Sequence, residues 1–415
     1  MLARRTNVTL KYNNISADDV AKYLQDFKYV DVASGSSDSI SVNFSDKDRK
    51  WRTSWFPRKG DKLTPSIILQ HWDDPNAQRR EYKCGTFVVD DFGFEGSPCT
   101  CTIDAVAMPS TSGFHATERT NTYEKTTLKE IAKKIAARNG LSLSYHADSP
   151  ISISSAGQDK QTDSSFFASV CTKYGLAFKV YNNKLVVFDE GLYERQRPAA
   201  TLTPLDIDPD WSWDTTIAGT YTGVKYQYTD KKSEVTYNCY VGGKERTLTV
   251  DDDAGNETEA RLIALGKLND ANKRTTTMSV SMRSPAWAVS STQCVQMSGF
   301  GKIDGKYYIE KATHTVDGNG TKVELFLRKV ESRYVLIDGK VMILNGNWDG
   351  TNYRKGERVR VRLNARSASG KVMPPRVYTT LYIVLQVSGG NVTIGSSTAV
   401  LDTFRAEDLY RDRPS

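Results

Sequence analysis

The chain has 415 residues, 39% hydrophobic and 25% charged, an ordinary composition for a folded protein and enough chain for about three compact units. Its 56 basic and 49 acidic residues leave a formal charge of +7, too small an excess over so large a surface to demand a nucleic-acid or membrane partner. The six cysteines, at 84, 99, 101, 171, 239 and 294, contain no CxxC pair and no zinc spacing with histidine, so free thiols are expected rather than a disulfide framework.

The first residues, MLARRTNVTLKYNN, carry two arginines with no apolar run behind them, so neither a signal peptide nor a membrane anchor is expected there. Nowhere does an apolar stretch approach the roughly 20 residues of a membrane span. Short runs follow with turn residues between them: NVTLKY, DSISVNF, SIILQHW, CGTFVVDDFGF and CTCTIDAVAM. With 21 Tyr and 7 Trp in the chain, they read as strands with one buried face. A helix is expected at SADDVAKYLQDF, capped by Ser16, with Val20, Tyr23 and Leu24 on one side.

From about residue 121 the pattern becomes helix, strand, helix, hairpin. Thr127 and Glu130 form a capping box ahead of Leu128, Ile131, Ala132 and Ile135, and Gly140 stops that helix. Asp163 or Ser164 caps a second helix carrying Phe167, Val170, Cys171 and Tyr174, closed by Gly175. AFKVYNNKLVVFD is a hairpin turning at Asn182 and Asn183, residues that tolerate positive φ.

Sheet returns at about 201. Val224, Tyr226 and Tyr228 alternate with polar neighbours, and Val235, Tyr237 and Cys239 alternate on the way back. The helix ETEARLIALGKLNDANK interrupts, with Ala260, Ile263, Ala264, Leu268 and Ala271 in one stripe. Strands resume at TTTMSVSM, QCVQMSGFG, YYIEKATHTV and TKVELFLRK. The expected architecture is α+β, mainly β: a first tube-like β-barrel over 1–120, a small α/β insert over 121–200, a second tube-like barrel over 201–332 and an SH3-like β-barrel over 333–415.

No catalytic, cofactor or metal residues emerge. His71, His115, His146 and His314 are far apart, and no GxSxG, HExxH or phosphate-binding glycine loop occurs. Asp206, Asp208 and Asp210, or Asp251, Asp252 and Asp253, suggest a metal loop, but the second run with Gly255 and Glu257 lacks calcium-loop spacing; solvated loops are the expectation. Arg354, Lys355, Arg358, Arg360, Arg362, Arg366, Lys371 and Arg376, flanked by Tyr353 and Tyr378, have the charge of a nucleic-acid groove but no aromatic between the arginines, so a solvated or subunit-facing strand is expected.

DSSFFASVCTKYGLAFKVYNNKLVVFD, then NETEARLIALGKLNDANKRTTTMSV, then QMSGFGKIDGKYYIEKATHTVDGNGTKVELFLRK together resemble the late control protein D family of phage tails and of contractile injection systems. The likeness spans about residues 1–330 and rests on the order of elements. It implies a non-enzymatic baseplate hub: a homotrimer whose two barrels per chain imitate the sixfold symmetry of a tail tube, with a central spike on the other side. Tube, spike, other baseplate proteins and a tape-measure protein are the implied partners, in a tail particle assembled in the bacterial cytoplasm, without cofactor, specific nucleic acid or membrane anchoring. Residues 333–415 fall outside the resemblance. Trp348, Tyr353 and Tyr378 there suggest a rival role in binding cell-wall glycan, and a peptidoglycan-cleaving enzyme is the weakest of the three readings.

Overall fold

The computed structural model describes residues 4–411 apart from 14, 16, 73–78, 108–112, 148–150, 230–233, 285–288, 338–339, 346–352, 354, 362–364, 375–376, 378–379, 389–390 and 397–398. The chain is α+β and mainly β. It opens with β1 (Arg5–Tyr12), a five-residue helix α1 (Ala17–Ala21), β2 (Leu24–Val32), β3 (Ser39–Ser45), β4 (Lys62–Gln70), β5 (Arg80–Lys83), β6 (Phe87–Glu95) and β7 (Thr100–Val106). The helix expected over 16–27 therefore stops early, and Ser16 lies outside the described residues. Beyond Ala21 the segment is claimed from both sides by β3 and by a distant strand, which outweighs its helical spacing.

Next come β8 (Glu118–Thr127), α2 (Leu128–Arg138), β9 (Ser142–His146), β10 (Ser152–Thr162), α3 (Asp163–Lys173), β11 (Ala177–Tyr181), β12 (Lys184–Phe188) and α4 (Glu190–Glu194). The N-cap bond of the expected capping box is present, the Glu130 amide donating to Thr127 Oγ1 at 3.2 Å. The cap of α3 is Thr162 rather than Asp163 or Ser164: its hydroxyl accepts from Ser165 N. Asp163 is instead buried, accepting from Asn139 and Gln158 and pairing with Arg138 at 3.1 Å. Asn182 and Asn183 take φ of 46° and 60° at the hairpin turn.

The remainder runs β13 (Ala200–Leu202), β14 (Ser212–Thr215), β15 (Gly223–Thr229), β16 (Thr236–Gly242), β17 (Thr247–Val250), α5 (Glu257–Asn272), β18 (Thr276–Met282), β19 (Cys294–Met297), β20 (Gly305–Asp317) and β21 (Gly320–Lys329). A hairpin follows, β22 (Ser332–Ile337) with β23 (Lys340–Asn345), and then β24 (Arg358–Val361), β25 (Leu381–Ser388), β26 (Asn391–Gly395), β27 (Val400–Arg405) and β28 (Leu409–Arg411).

The strands expected as two separate barrels share one 13-stranded sheet, in the order β1-β4-β6-β7-β3-β2-β20-β21-β18-β14 with β5, β13 and β19 to the side. The joint is β2 against β20, antiparallel, Phe27 opposite Val316 through Val32 opposite Lys311. Each half keeps its own core. β1 and β4 cover β6, β7, β3 and β2 around Trp51, Phe27, Phe44 and Phe87, and β13 and β19 cover β20, β21 and β18 around Leu202, Met278, Ile309 and Leu327.

Two expected boundaries shift. Val224, Tyr226, Val241 and Val250 of β15 to β17, with Ala260, Ile263, Ala264 and Leu268 of α5, pack with α2 and α3 in the core of the insert, so the middle of 201–332 leaves the second strand set. The β22–β23 hairpin joins the same core through Tyr334, Leu336 and Val341. The last sheet, β27-β26-β25-β24-β28, has its own core around Val359, Val384, Ile394 and Phe404.

α5 reaches α3 at a glycine pair. A Cβ on Gly266 would stand 2.7 Å from Gly175 N and 3.0 Å from its Cα, and Gly175 itself holds φ of +70°. Gly266→Ala is therefore expected to lower stability by about 1–3 kcal/mol in urea unfolding. A gain, as at an open helical glycine, would mean the helices part freely.

Candidate assembly surface

Side chains alternate along a strand, so eight neighbouring strands with one apolar face must present a second, different face. On β3, Ile40, Val42 and Phe44 are buried while Ser39, Ser41, Asn43 and Ser45 point the other way. The register carries that alternation across the joint: Asp104, Ser41, Lys28, Thr315 and Lys322 face one another in sequence over β7, β3, β2, β20 and β21. Val30 stands between Ser39 and Thr313, and Glu324 faces Ser281. The result is one polar face of hydroxyls and charges, on which Lys322 pairs with Glu324 at 2.8 Å and Asn43 donates to Asp26 at 3.3 Å.

This run of eight has two free borders. Beyond the short pairing of Phe87 and Val88 with β4, residues 90–95 of β6 have β7 on one side and, among the described residues, no strand on the other. Among the described residues, β14 pairs with β18 alone. Every contact from β6 to β14 is antiparallel, so the two borders run in opposite directions.

The insert is fastened beside the β2–β20 joint by two buried ionic clusters. In one, Lys179 of β11 places Nζ 2.9 Å from both Asp31 Oδ1 and Asp38 Oδ1 and donates to Val32 O at 2.8 Å. Ser291 donates to Asp31 through both its amide (2.7 Å) and its hydroxyl (2.5 Å). In the other, Arg328 of β21 meets Glu194 at 2.6 Å and Glu190 at 3.3 Å, both on α4, and Glu310 at 3.1 Å. Its guanidinium lies 4.3 Å from the Tyr308 ring. Lys273, Arg274 and Arg333 complete this cluster from outside. Helix α4 is held by these charges and by Tyr193, which packs on Phe188 and against Ala33, Cys294 and Tyr308.

His314, expected in a packing or surface role, is buried on β20 and stacks on Tyr29 with ring centres 5.8 Å apart. Burial pushes its imidazole down to about 4, against the opposing pull of Asp31. The acidic runs are not brought together as one loop. Asp206 accepts from Thr203 N and Oγ1, Asp208 faces Arg283, Asp252 faces Lys267, and Asp253 binds Lys173 at 2.5 Å. Of the three aromatics expected to be exposed, Tyr353 is buried and donates to Leu409 O at 3.0 Å, whereas Trp348 and Tyr378 lie outside the described residues, as do Arg354, Arg362 and Arg376. The free borders were not foreseen: residues 212–215 of β14 were not among the strands expected from the sequence. The buried clusters had no signal there, because the pairs that tie the insert to the sheet, Lys179 with Asp31 and Arg328 with Glu190, are 148 and 138 residues apart.

No family model matches this sequence, and no curated protein matches it either. Solved structures do. A tail protein from Neisseria meningitidis MC58 aligns at 11% identity and a TM-score of 0.60, covering 78% of this chain and 96% of that one. The 43 kDa tail protein of prophage MuSo2 from Shewanella oneidensis aligns at 13% identity and a TM-score of 0.59, covering 78% and 98%. This chain therefore has the fold of phage tail proteins.

Proposed function

We propose that the chain is a structural, non-enzymatic hub of a phage-tail-like baseplate of the contractile kind. In this reading three copies form a ring that joins the tail tube to a central spike. The observation that carries the proposal is the β2–β20 joint, which sets two strand sets with separate cores side by side in one sheet. Three such chains place six comparable units around an axis, so threefold symmetry meets a sixfold tube. Eight strands per chain continue from copy to copy where the free border of β14 meets that of β6, and antiparallel pairing is preserved across the contact. The polar face then lines the channel, and the cores and insert lie outside it.

An exposed strand border is an aggregation liability in a monomer, and ring closure removes it. Tube, spike, other baseplate proteins and a tape-measure protein are the partners this role requires, and its place is the tail particle. The glycan-binding alternative loses one of its three aromatics to the core at Tyr353. Multi-angle light scattering of the purified chain is expected to return the mass of three chains; a monomer that persists at high concentration and in the presence of tube protein would refute the hub reading.

A further inference from the structure

The two free borders of the sheet are bounded by unlike surfaces. Beside β6, Phe56 is 51% exposed and packs on Phe92 and Phe94 with ring centres 5.5 and 5.8 Å apart. The loop that carries Phe56 is basic: Lys47, Arg49, Arg58, Lys59 and Lys62 stand exposed. Its acids are engaged, Asp48 accepting from the Tyr23 hydroxyl, and Asp61 from the Tyr12 hydroxyl and the Arg58 amide.

Beside β14 the chemistry reverses. Residues 203–214, TPLDIDPDWSWD, hold Asp206, Asp208, Asp210 and Asp214 and no lysine or arginine. Within this segment Leu205 is 80% exposed and Trp211 38%, the latter edge-on to Phe300 at 5.6 Å.

Both aromatic groups lie on the core side of the sheet. Phe92 and Phe94 are opposite Ile103 and Cys101, and Trp211 packs on Phe300, which lies against the core of the second strand set. Antiparallel contact between the two borders would bring these groups onto the same face of the extended sheet.

We infer that the basic, phenylalanine-bearing loop around Phe56 of one copy docks on the acidic segment Leu205–Trp211 of a second copy, as a head-to-tail lock outside the channel wall. The inference rests on the hub reading and adds the surfaces that choose the neighbour. Opposite charges on its rim set encounter rate and orientation, and the aromatic contact supplies buried area. A contact between two different patches closes into a ring or runs on as a fibre, and complementary charge disfavours the like-with-like pairing that would give a twofold dimer.

The test is a charge exchange on the full chain, read as mass by light scattering. Arg58→Glu with Lys59→Glu, and separately Asp208→Lys with Asp210→Lys, are each expected to reduce a three-chain assembly to one chain, while all four substitutions together restore it. Restoration also shows that the exchanged side chains leave folding intact. If the wild-type ring forms and either pair leaves it whole, or if the fourfold variant stays monomeric, the lock is refuted and the hub reading stands. If the wild-type chain itself never assembles, the hub reading falls and the lock with it.

Discussion

Arg328→Met is expected to lower stability by about 3–5 kcal/mol, the usual cost of removing one partner from a buried ionic cluster. The substitution keeps most of the side-chain volume and removes the charge, leaving Glu190, Glu194 and Glu310 to share Lys273, Arg274 and Arg333. Burial alone would push the Glu190 carboxyl up; Arg328, Lys273 and Arg333 outweigh burial and hold it at about 2. A carboxyl depressed in the folded state contributes stability that is present above its ordinary value near 4.5 and lost as pH falls towards 2. In the variant the folded-state value rises towards 4.5, so less stability is lost on acidification and urea midpoints at pH 7 and pH 4 should lie closer together than in the wild type. A loss below about 1 kcal/mol with the two midpoints no closer together would mean that water reaches α4 and screens the cluster.

Lys179→Met is expected to cost a similar ~3–5 kcal/mol at neutral pH, with a response to acid that begins nearer neutral pH. Burial lifts the Asp38 carboxyl to about 6; Lys179 pulls it down and Asp31 pushes it up. Without the ammonium, burial and Asp31 still push it upwards and only the Val32 amide opposes them. A raised carboxyl binds its proton more tightly in the folded state, so stability is regained as pH falls through the folded value. The variant should recover part of its loss between pH 7.5 and 5.5, and adding Asp38→Asn should recover part of it at pH 7.5. A loss that is equal at both pH values would trace to packing alone. Because this cluster ties β2 to β11 and to Ser291, unfolding of the insert and of the strand sets should separate into two transitions in the variant.

What local chemistry dictates was legible in the sequence. The alternation of Ile40, Val42 and Phe44 with Ser39, Ser41 and Asn43 marks β3 and its buried face. Thr127 with Glu130 marks the start of α2, and Asn182 with Asn183 marks a turn. What depends on distant partners was not. Leu24 reads as helical until the pairing of β2 on both borders is known. β15 to β17 alternate as any half-buried sheet does, and nothing in that alternation says that the covering surface is α5 and the insert rather than the second strand set. Lys179 and Asp31 are 148 residues apart, and each looks like a solvated charge until the fold joins them. The wet face could be read strand by strand, but its continuity over β2 and β20 is a matter of register.

Imaging of the purified, assembled chain by single-particle electron microscopy tests the central claim most directly. The account predicts closed rings of three chains with six similar lobes, a continuous strand wall around an open channel, and Ser41, Lys28 and Thr315 facing the lumen. Rings in which β6 and β14 stay unpaired, or in which that face points outwards, would contradict it.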